Sequence, residues 1–294
     1  MGLCRGVLGI DGRDAGVGVA AQLRVTTRNA RFQQWQALLG NRARRQRGGE
    51  FLVQGVRPIT MAVRHGWRIR ALLYDADAAL SGWARQVLDA VDTTRVAMAP
   101  DLMHELGGKT DDTPQLLAVV AVPDDDLTRV PASRGMLTVV FDRPASPGNI
   151  GTLIRSADAF GASGVIIAGH AADVYDPKSV RASTGSLFCL PVVRVASHRA
   201  VLDWLDGLRG QGMNVLLVGS DEDGDLDVAD ADLTQPAVVV VGNETTGLST
   251  AWRSACQHLV RIPMAGAASS LNAATAASIV LYESMRQRTA SRKA

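Results

Sequence analysis

Hydrophobic and polar positions follow an alternating pattern in the first half of the chain. Short apolar segments are separated there by stretches of helical periodicity. The apolar segments are 51–56, 69–74, 95–98 and 116–122, and the helical stretches are 59–65, 83–91 and 101–106. Strands separated by helices predict an α/β module of about one hundred residues.

From residue 136 onward the apolar segments become continuous and lose strict alternation. They cover 136–141, 164–168, 192–195, 215–218 and 237–242, and helical periodicity covers 150–160, 180–187 and 200–209. Continuous apolar runs are typical of parallel strands that are buried on both faces. This half therefore predicts a doubly wound parallel sheet, in which ligands bind beyond the carboxyl ends of the strands.

Composition marks the limits of these regions. The polar segment 124–134 predicts a linker between an N-terminal domain, residues 22–123, and a C-terminal domain, residues 135–294. Residues 1–21 are rich in Gly and Ala and predict a flexible leader.

The leader contains part of a dinucleotide-binding pattern. Gly16, Gly18 and Ala21 match G-x-G-x-x-A. However, the pattern requires an acidic residue further along the chain to bind a ribose, and none lies between Asp14 and Glu50. We therefore reject the alternative that the chain is a nucleotide-dependent oxidoreductase.

Charge and cysteine content exclude several further classes. The 294 residues carry a formal net charge of +2, and no apolar run approaches the roughly 20 residues that cross a bilayer. Because the first residues are also too charged for a secretory signal, we expect a cytoplasmic protein with no membrane partner. Cys4, Cys189 and Cys256 have the spacing of neither a disulfide framework nor a zinc site, so we expect no metal.

Residues 24–47 contain arginines and no acidic residue. Phe32, Trp35, Leu38 and Leu39 share one helical face, so the arginines lie on other faces or in the following loop. A basic segment without compensating acids predicts a nucleic-acid partner, and a solvated basic helix is the alternative. The candidate RNA-binding residues of this segment are Arg28, Arg31, Arg42, Arg44, Arg45 and Arg47.

Unusual residues follow the predicted strands of the second half. After the strand 136–141, Asn149 is placed at the N-cap of a helix, with Arg155 six residues further on. A purely structural alternative gives Asn149 the cap alone and pairs Arg155 with Asp158. After the strand 237–242, the sequence GNETTGLS permits tight turns around Glu244, which could accept hydrogen bonds from an amino group or fix the loop.

Two further segments complete this edge of the predicted sheet. An acidic loop, residues 221–227, follows the strand 215–218, and we interpret it as solvated rather than metal-binding. Residues 259–283 pass from a short strand through small residues, 265–270, into a helix from Leu271. Small side chains allow close approach of either a ligand or another part of the backbone, and the pattern alone leaves both open.

Three of these segments together resemble a known family. NIGTLIR from Asn149, VVVVGNETTGL from Val238 and RIPMAGAASSLNAATAASIVLYE from Arg261 are similar to the three motifs of the SpoU (TrmH-like) RNA 2'-O-ribose methyltransferases, in the same order and spacing. The N-terminal half resembles the ribosomal-protein-like RNA-binding domain of that family, although Gln54 stands where Glu is more usual. The resemblance implies a deep trefoil knot in the C-terminal domain, an exception to the usual rules of chain topology.

The resemblance also implies a cofactor and a set of site residues. S-adenosylmethionine would bind in the knot, and a homodimer would form through helices at 272–285 and 150–160. The implied cofactor-binding residues are Gly219, Ser220, Gly242, Asn243, Gly247, Leu248, Ile262, Met264, Ser270 and Leu271. The implied catalytic residues are Asn149, Arg155, Glu244 and Asn272, with Arg155 reaching the cofactor of the other subunit, and Arg143 and Arg181 are candidates for phosphate binding.

The implied chemistry needs little from the protein. A sulfonium methyl group is already electrophilic, so the main task is to align a ribose 2'-hydroxyl with it. Arg155 is a poor base because a guanidinium stays protonated in proteins, and we expect it to bind a phosphate that, like a water, could accept the proton. The predicted function is methylation of a ribose 2'-hydroxyl in RNA, with 23S rRNA as first choice and antibiotic self-protection as an inference from similarity. The alternatives are a tRNA 2'-O-methyltransferase and a catalytically silent RNA-binding adaptor.

Overall fold

The structure, a computed structural model, describes residues 22–108 and 113–292. The predicted leader, its partial dinucleotide pattern and Cys4 lie outside the described residues.

The N-terminal domain is built on a five-stranded sheet with the order β1-β4-β3-β5-β2. Its strands are β1 (Gln22–Val25), β2 (Glu50–Gln54), β3 (Ile69–Asp75), β4 (Thr94–Met98) and β5 (Leu116–Ala121). Its helices are α1 (Ala30–Gly40), α2 (Arg42–Gly48), α3 (Val56–Arg64), α4 (Gly82–Ala90) and α5 (Pro100–Gly107). Every strand and helix predicted here is confirmed. The prediction missed β1, which pairs with β4 at the sheet edge and buries only Val25.

The basic segment forms two helices rather than a helix and a loop. Phe32, Trp35 and Leu38 form the buried face of α1, as their spacing predicts. Asn41 then ends α1. Its side chain also caps the start of α2, by accepting a hydrogen bond from the backbone N–H of Arg44. An asparagine that caps the next helix allows the chain to turn without a loop.

The C-terminal domain is a seven-stranded sheet with the order β10-β12-β9-β11-β6-β7-β8. Its strands are β6 (Leu137–Asp142), β7 (Gly164–Ala168), β8 (Val192–Val195), β9 (Leu216–Ser220), β10 (Leu226–Asp227), β11 (Ala237–Val241) and β12 (His258–Arg261). Its helices are α6 (Pro147–Ala159), α7 (Pro177–Ala182), α8 (His198–Gly210), α9 (Thr250–Ala255) and α10 (Ala273–Ser291). All strand pairs are parallel and the central strands are buried on both faces, so the predicted doubly wound sheet is confirmed.

One predicted helix of this domain is broken. The helical pattern of 180–187 divides into α7 and a short 3-10 helix at Ser186–Phe188. Thr184 and Gly185 separate the two with φ values of 49° and 97°. Backbone in this left-handed region cannot continue a right-handed helix.

The two domains are joined by a buried ion pair. The Arg45 side chain is 3% exposed, and its Nε lies 2.7 Å from Asp173 Oδ2 of the C-terminal domain. Its Nη1 donates to the carbonyl of Leu38 at 2.6 Å, and its Nη2 lies 3.5 Å from Asp176 Oδ2. The prediction that Arg45 binds RNA is therefore wrong, because its guanidinium is buried and paired with Asp173 inside the protein.

Aromatic rings continue this interface. Phe51 packs against Tyr175 of the C-terminal domain with ring centroids 4.7 Å apart, and Trp67 lies edge-on to Phe188 at 5.0 Å. The Trp67 indole N–H also donates to the Phe188 carbonyl at 3.1 Å. The N-terminal sheet is thus fixed to the segment between β7 and β8.

We expect Arg45→Ala to destabilise the protein by about 3–5 kcal/mol, because Asp173 would remain buried without its cation. Chemical denaturation should show this as a lower midpoint. Arg44→Ala, an exposed arginine on the same helix, is the control and should change the free energy of unfolding by less than about 0.5 kcal/mol. Equal midpoints for the two variants would contradict the role given to Arg45.

Candidate active site

A cleft of about 250 Å³ lies at the carboxyl edge of the C-terminal sheet. The loops after β9, β11 and β12 and the start of α10 enclose it. It is lined by Ser220, Asp221, Glu222, Val241, Gly242, Asn243, Glu244, Thr245, Thr246, Gly247, Arg253, Ile262, Met264, Ser270, Leu271, Ala273 and Ala276. This is the edge at which the strand pattern predicts ligand binding.

Most of the predicted cofactor-binding residues line this cleft, but Gly219 and Leu248 do not. Leu248 is 4% exposed, and a Cβ atom on Gly219 would stand 2.7 Å from its Cδ1. The two residues pack against each other behind the cleft. They shape its rear wall and do not face the space inside it.

The loop after β11 folds back tightly on its own strand. A Cβ atom on Gly242 would overlap the carbonyl carbon of Gly247, so only glycine fits there. Asn243 and Gly247 exchange two backbone hydrogen bonds of 3.0 Å. The Asn243 side chain accepts from the backbone N–H groups of Thr245 and Thr246, and its amide donates to the Arg143 carbonyl at 2.6 Å. The loop after β11, which forms one wall of the cleft, is therefore fixed by hydrogen bonds within the protein.

The opposite wall is open. Residues 263–271 make no hydrogen bond, through backbone or side chain, to any residue that the structure describes. Met264 and Leu271 are 40% and 37% exposed. Backbone N–H and C=O groups without partners, beside exposed apolar side chains, are available to a ligand that has both polar and apolar parts.

Glu244 ties the loop after β11 to the start of α6. Its carboxylate accepts hydrogen bonds from the backbone N–H groups of Ala145 and Ser146, at 2.8 and 3.1 Å, and from the Asn149 amide at 3.0 Å. Partial burial raises the pKa of the Glu244 carboxyl, but these hydrogen bonds outweigh it and hold the pKa below its ordinary value. The carboxylate fixes the loop, one of the two roles that the sequence left open.

Asn149 connects this carboxylate to α10. Ser146, not Asn149, caps α6, since the helix begins at Pro147 and the Ser146 side chain accepts from the Asn149 N–H. The predicted N-cap position of Asn149 is therefore wrong by three residues. Its side-chain oxygen instead accepts a 3.1 Å hydrogen bond from Asn272, whose own oxygen caps α10 by accepting from Ala274 and Thr275.

Arg155 lies apart from this network. It is exposed on α6, about 9 Å along the helix axis from Asn149. The alternative pairing with Asp158 is not formed, because Asp158 accepts a 2.6 Å hydrogen bond from Ser186. Among the described residues Arg155 has no ion-pair or hydrogen-bond partner, so its guanidinium faces outward.

One ion pair of the cleft, between a buried carboxylate and a partly exposed arginine, was not predicted from the sequence. The Asp221 carboxylate is 3% exposed and lies 2.7 Å from Arg253 Nη2 of α9. The interpretation of the acidic loop as solvated is therefore wrong for Asp221, although Glu222, Asp223 and Asp225 are exposed. The position of Asp221 directly after a buried parallel strand was the signal that could have identified it.

The other candidate RNA-binding arginines divide into two groups. Arg28 lies 2.7 Å from Glu105, Arg42 donates to the Ala171 carbonyl at 2.6 Å, and Arg143 pairs with Asp142 at 3.0 Å. Arg28 thus finds outside the basic segment the acidic partner that the segment itself does not contain. The exposed side chains without an acidic partner among the described residues are those of Arg31, Arg42, Arg44, Arg47 and Arg181.

Within residues 22–108 and 113–292, no cluster of His, Cys, Asp and Glu side chains has the geometry of a metal site. No helix in that part of the chain is long and apolar enough to cross a membrane.

Fold and cleft together define a class of protein. A doubly wound parallel sheet with a glycine-walled cleft at its carboxyl edge is the architecture of an α/β enzyme that binds a nucleotide-like ligand. Residues 136–282 match the SpoU rRNA Methylase family, and residues 29–118 match the SpoU L30e-like domain. The chain belongs to the SpoU family of RNA methyltransferases, and its C-terminal domain has the knotted α/β fold of that family.

Relatives from two organisms extend this comparison. The chain is 61% identical to a 23S rRNA (uridine(2479)-2'-O)-methyltransferase of Streptomyces viridochromogenes over 96% of this chain and 98% of that protein. The crystal structure of the SpoU methyltransferase AviRb from that organism, in complex with AdoMet, is 62% identical with a TM-score of 0.86, covering 89% of this chain and 99% of the other. An AdoMet-bound rRNA methyltransferase from Sinorhizobium meliloti is 28% identical with a TM-score of 0.81, covering 90% and 98%.

We expect Glu244→Gln to destabilise the protein by about 1 kcal/mol at neutral pH, because a partly exposed carboxylate with three N–H donors is replaced by a neutral amide. The folded-state pKa of Glu244 lies below the unfolded value of about 4.3. Its contribution is therefore complete above the unfolded pKa and is lost as pH falls through the folded pKa.

Denaturant titrations at a series of pH values should show wild type and Glu244→Gln converging in acid. Glu222→Gln is the control, because Glu222 lines the same cleft but is exposed and has no hydrogen-bond partner among the described residues. A difference that persists unchanged in acid would show that the charge of Glu244 is irrelevant.

Proposed function

We propose that the chain methylates the 2'-hydroxyl of a uridine ribose in 23S rRNA, with S-adenosylmethionine as the methyl donor. The observation that carries the proposal is the 61% identity to a 23S rRNA uridine 2'-O-methyltransferase across 98% of that protein. A likeness that spans both domains includes the part that selects the RNA as well as the part that binds the cofactor. RNA with a defined fold is recognised largely by its shape, so the N-terminal domain matters for the choice of substrate.

The cleft suits S-adenosylmethionine in its chemistry. Ile262, Met264 and Leu271 offer an apolar wall for an adenine ring, and the unpaired backbone groups of 263–271 can accept and donate hydrogen bonds at its edge. Glu222, which is exposed, provides a carboxylate for a hydroxyl or ammonium group. When bound, the cofactor supplies a sulfonium methyl group that is electrophilic without help from a metal.

The residues around the cleft have separate tasks in this proposal. Glu244, Asn149 and Asn272 hold the loop after β11 and the starts of α6 and α10 at a fixed spacing, so that a ribose can be aligned with the methyl group. Arg155 binds a phosphate next to the target nucleotide, since its guanidinium is exposed and stays charged. That phosphate or a water accepts the proton released by the 2'-hydroxyl.

We propose that Arg155 acts across a homodimer. Tyr282 of α10 is 50% exposed and packs edge-on against Phe160 at the end of α6, with ring centroids 5.9 Å apart. An exposed aromatic pair on two adjoining helices is suited to a symmetric contact with a second copy. Arg155 lies on the exposed side of α6, from which it can reach the cleft of a partner subunit.

Incubation of the wild-type protein with methyl-labelled S-adenosylmethionine and unmodified 23S rRNA should place label in one 2'-O-methyluridine. Nuclease digestion and mass spectrometry would identify the nucleotide, and total tRNA under the same conditions is the comparison. Preferred labelling of tRNA would contradict the proposed substrate, and no transfer to any RNA would favour the adaptor.

A mixture of two inactive variants tests the dimer. Arg155→Ala should lose methyl transfer while retaining cofactor affinity, and Leu271→Glu should lose cofactor binding. If each site combines one subunit's cleft with the other subunit's Arg155, refolding the two together should restore about a quarter of wild-type activity, from one working site in each hybrid dimer. No recovery, with hybrid dimers present, would place Arg155 and the cleft of one chain in the same site.

Protection against a ribosome-targeting antibiotic stays a prediction from similarity. Comparison of drug sensitivity with and without expression of the chain would test it.

A further inference from the structure

A second cavity, of about 420 Å³, lies between the two domains. We name it the interdomain cavity. It is lined by Arg42, Arg45, Gln46, Val122, Asp125, Asp173, Tyr175, Arg194, Val195 and Ala196. The N-terminal domain, the linker and the C-terminal domain all contribute to it, and neither the cofactor nor the reaction accounts for it.

The interdomain cavity and the cofactor cleft share one edge of the sheet. The C-terminal residues that line the interdomain cavity come after β7 and at the end of β8. These strands lie two and three positions from β11, a separation of about 10–15 Å. The loop after β6 lies between the two sites and contacts both sides. Its Pro144 carbonyl accepts a 2.7 Å hydrogen bond from the Ala172 N–H, near the interdomain cavity, and the N–H of Ala145, which follows Pro144, donates to Glu244 beside the cleft.

The inner walls of the interdomain cavity are already neutralised. Arg45 pairs with Asp173, and Arg194 pairs with Asp125 at 2.7 Å while lying 5.4 Å from the centre of the Tyr175 ring. With these pairs matched, the remaining positive charge in the lining is that of Arg42. A cavity with one excess charge at its mouth is poorly built to enclose a free anion.

The free donors lie at the mouth. Arg42 is exposed and uses one of its five N–H groups, from Nη1 to the Ala171 carbonyl. Its other donors and the side-chain amide of Gln46, one turn further along α2, have no partner among the described residues. A single fixed cation beside an amide suits one phosphate and one ribose hydroxyl of a polyanion that is held at several other points.

We infer that the mouth of the interdomain cavity binds the phosphate–ribose backbone of the same rRNA that presents the target ribose to the cleft. Arg42 contacts a phosphate, and Gln46 contacts that phosphate or the adjoining 2'-hydroxyl. The inference rests on the proposed function, since it concerns the RNA on which that function acts. It adds a contact at the junction of the domains, separate from Arg155 and from the cleft.

The test is Arg42→Gln, with Arg57→Gln as a matched control. Arg57 is also exposed, and it also gives one hydrogen bond across the domain interface, from Nε to the Thr184 carbonyl at 3.0 Å, but it does not line the cavity. Each variant therefore loses one charge and one interdomain hydrogen bond. Binding of both variants and wild type to unmodified 23S rRNA would be measured over a range of salt concentrations.

We expect Arg42→Gln to weaken RNA binding about five- to tenfold and to lower the slope of log K against log salt by about 0.7, the value for one phosphate contact on a single strand. Gln46→Ala should weaken binding without changing the slope. Cofactor affinity should match wild type in both, thermal unfolding of Arg42→Gln should match that of Arg57→Gln, and Arg57→Gln should bind RNA as wild type does.

An unchanged affinity and slope for Arg42→Gln would overturn the inference, as would equal losses in Arg42→Gln and Arg57→Gln. Either result would leave the proposed function intact if wild type methylates the rRNA. Failure of wild type to methylate any RNA would instead remove the proposed function, whatever the binding data show.

Discussion

The carboxylate of Glu244 is the point on which the site depends. Among the described residues it has three N–H donors and no cationic partner, so the geometry of a loop and a helix start is set by hydrogen bonds to a single charge. Asn149 passes that constraint on to Asn272 and the start of α10. The joined residues stand 95 and 123 positions apart in the chain, so the connection depends on the tertiary fold rather than on local structure.

This connection leaves the cleft with two unlike sides. One side, from Gly242 to Gly247, is closed on itself by backbone and side-chain hydrogen bonds. The other, residues 263–271, has no such bonds to the described residues and keeps its polar backbone groups free. A cleft built in this way holds its entrance in a fixed place and leaves one wall able to adjust to what enters.

The sequence was sufficient for most of the architecture, because continuous apolar runs and helical periodicity directly reflect burial. It was insufficient where a side chain finds a distant partner. Arg45 and Arg44 are neighbours in one basic run, yet one is buried against Asp173 and the other is exposed. Asp221 likewise resembles the other acidic residues of its loop in the sequence, and only the structure shows its ion pair with Arg253. The cleft could be located from motifs, whereas the placing of Gly219 and Leu248 behind it depends on packing.

The buried contact between Arg45 and Asp173 has a consequence for the choice of substrate. With the domains docked through charge and aromatic packing, the span from the arginines of the N-terminal domain to the cleft becomes a fixed length. In the proposed mode of RNA binding, the RNA must therefore fold so that its backbone contact and its target ribose stand at that separation. A short fragment with the right nucleotide but without the surrounding fold would reach the cleft and not the arginines of the N-terminal domain.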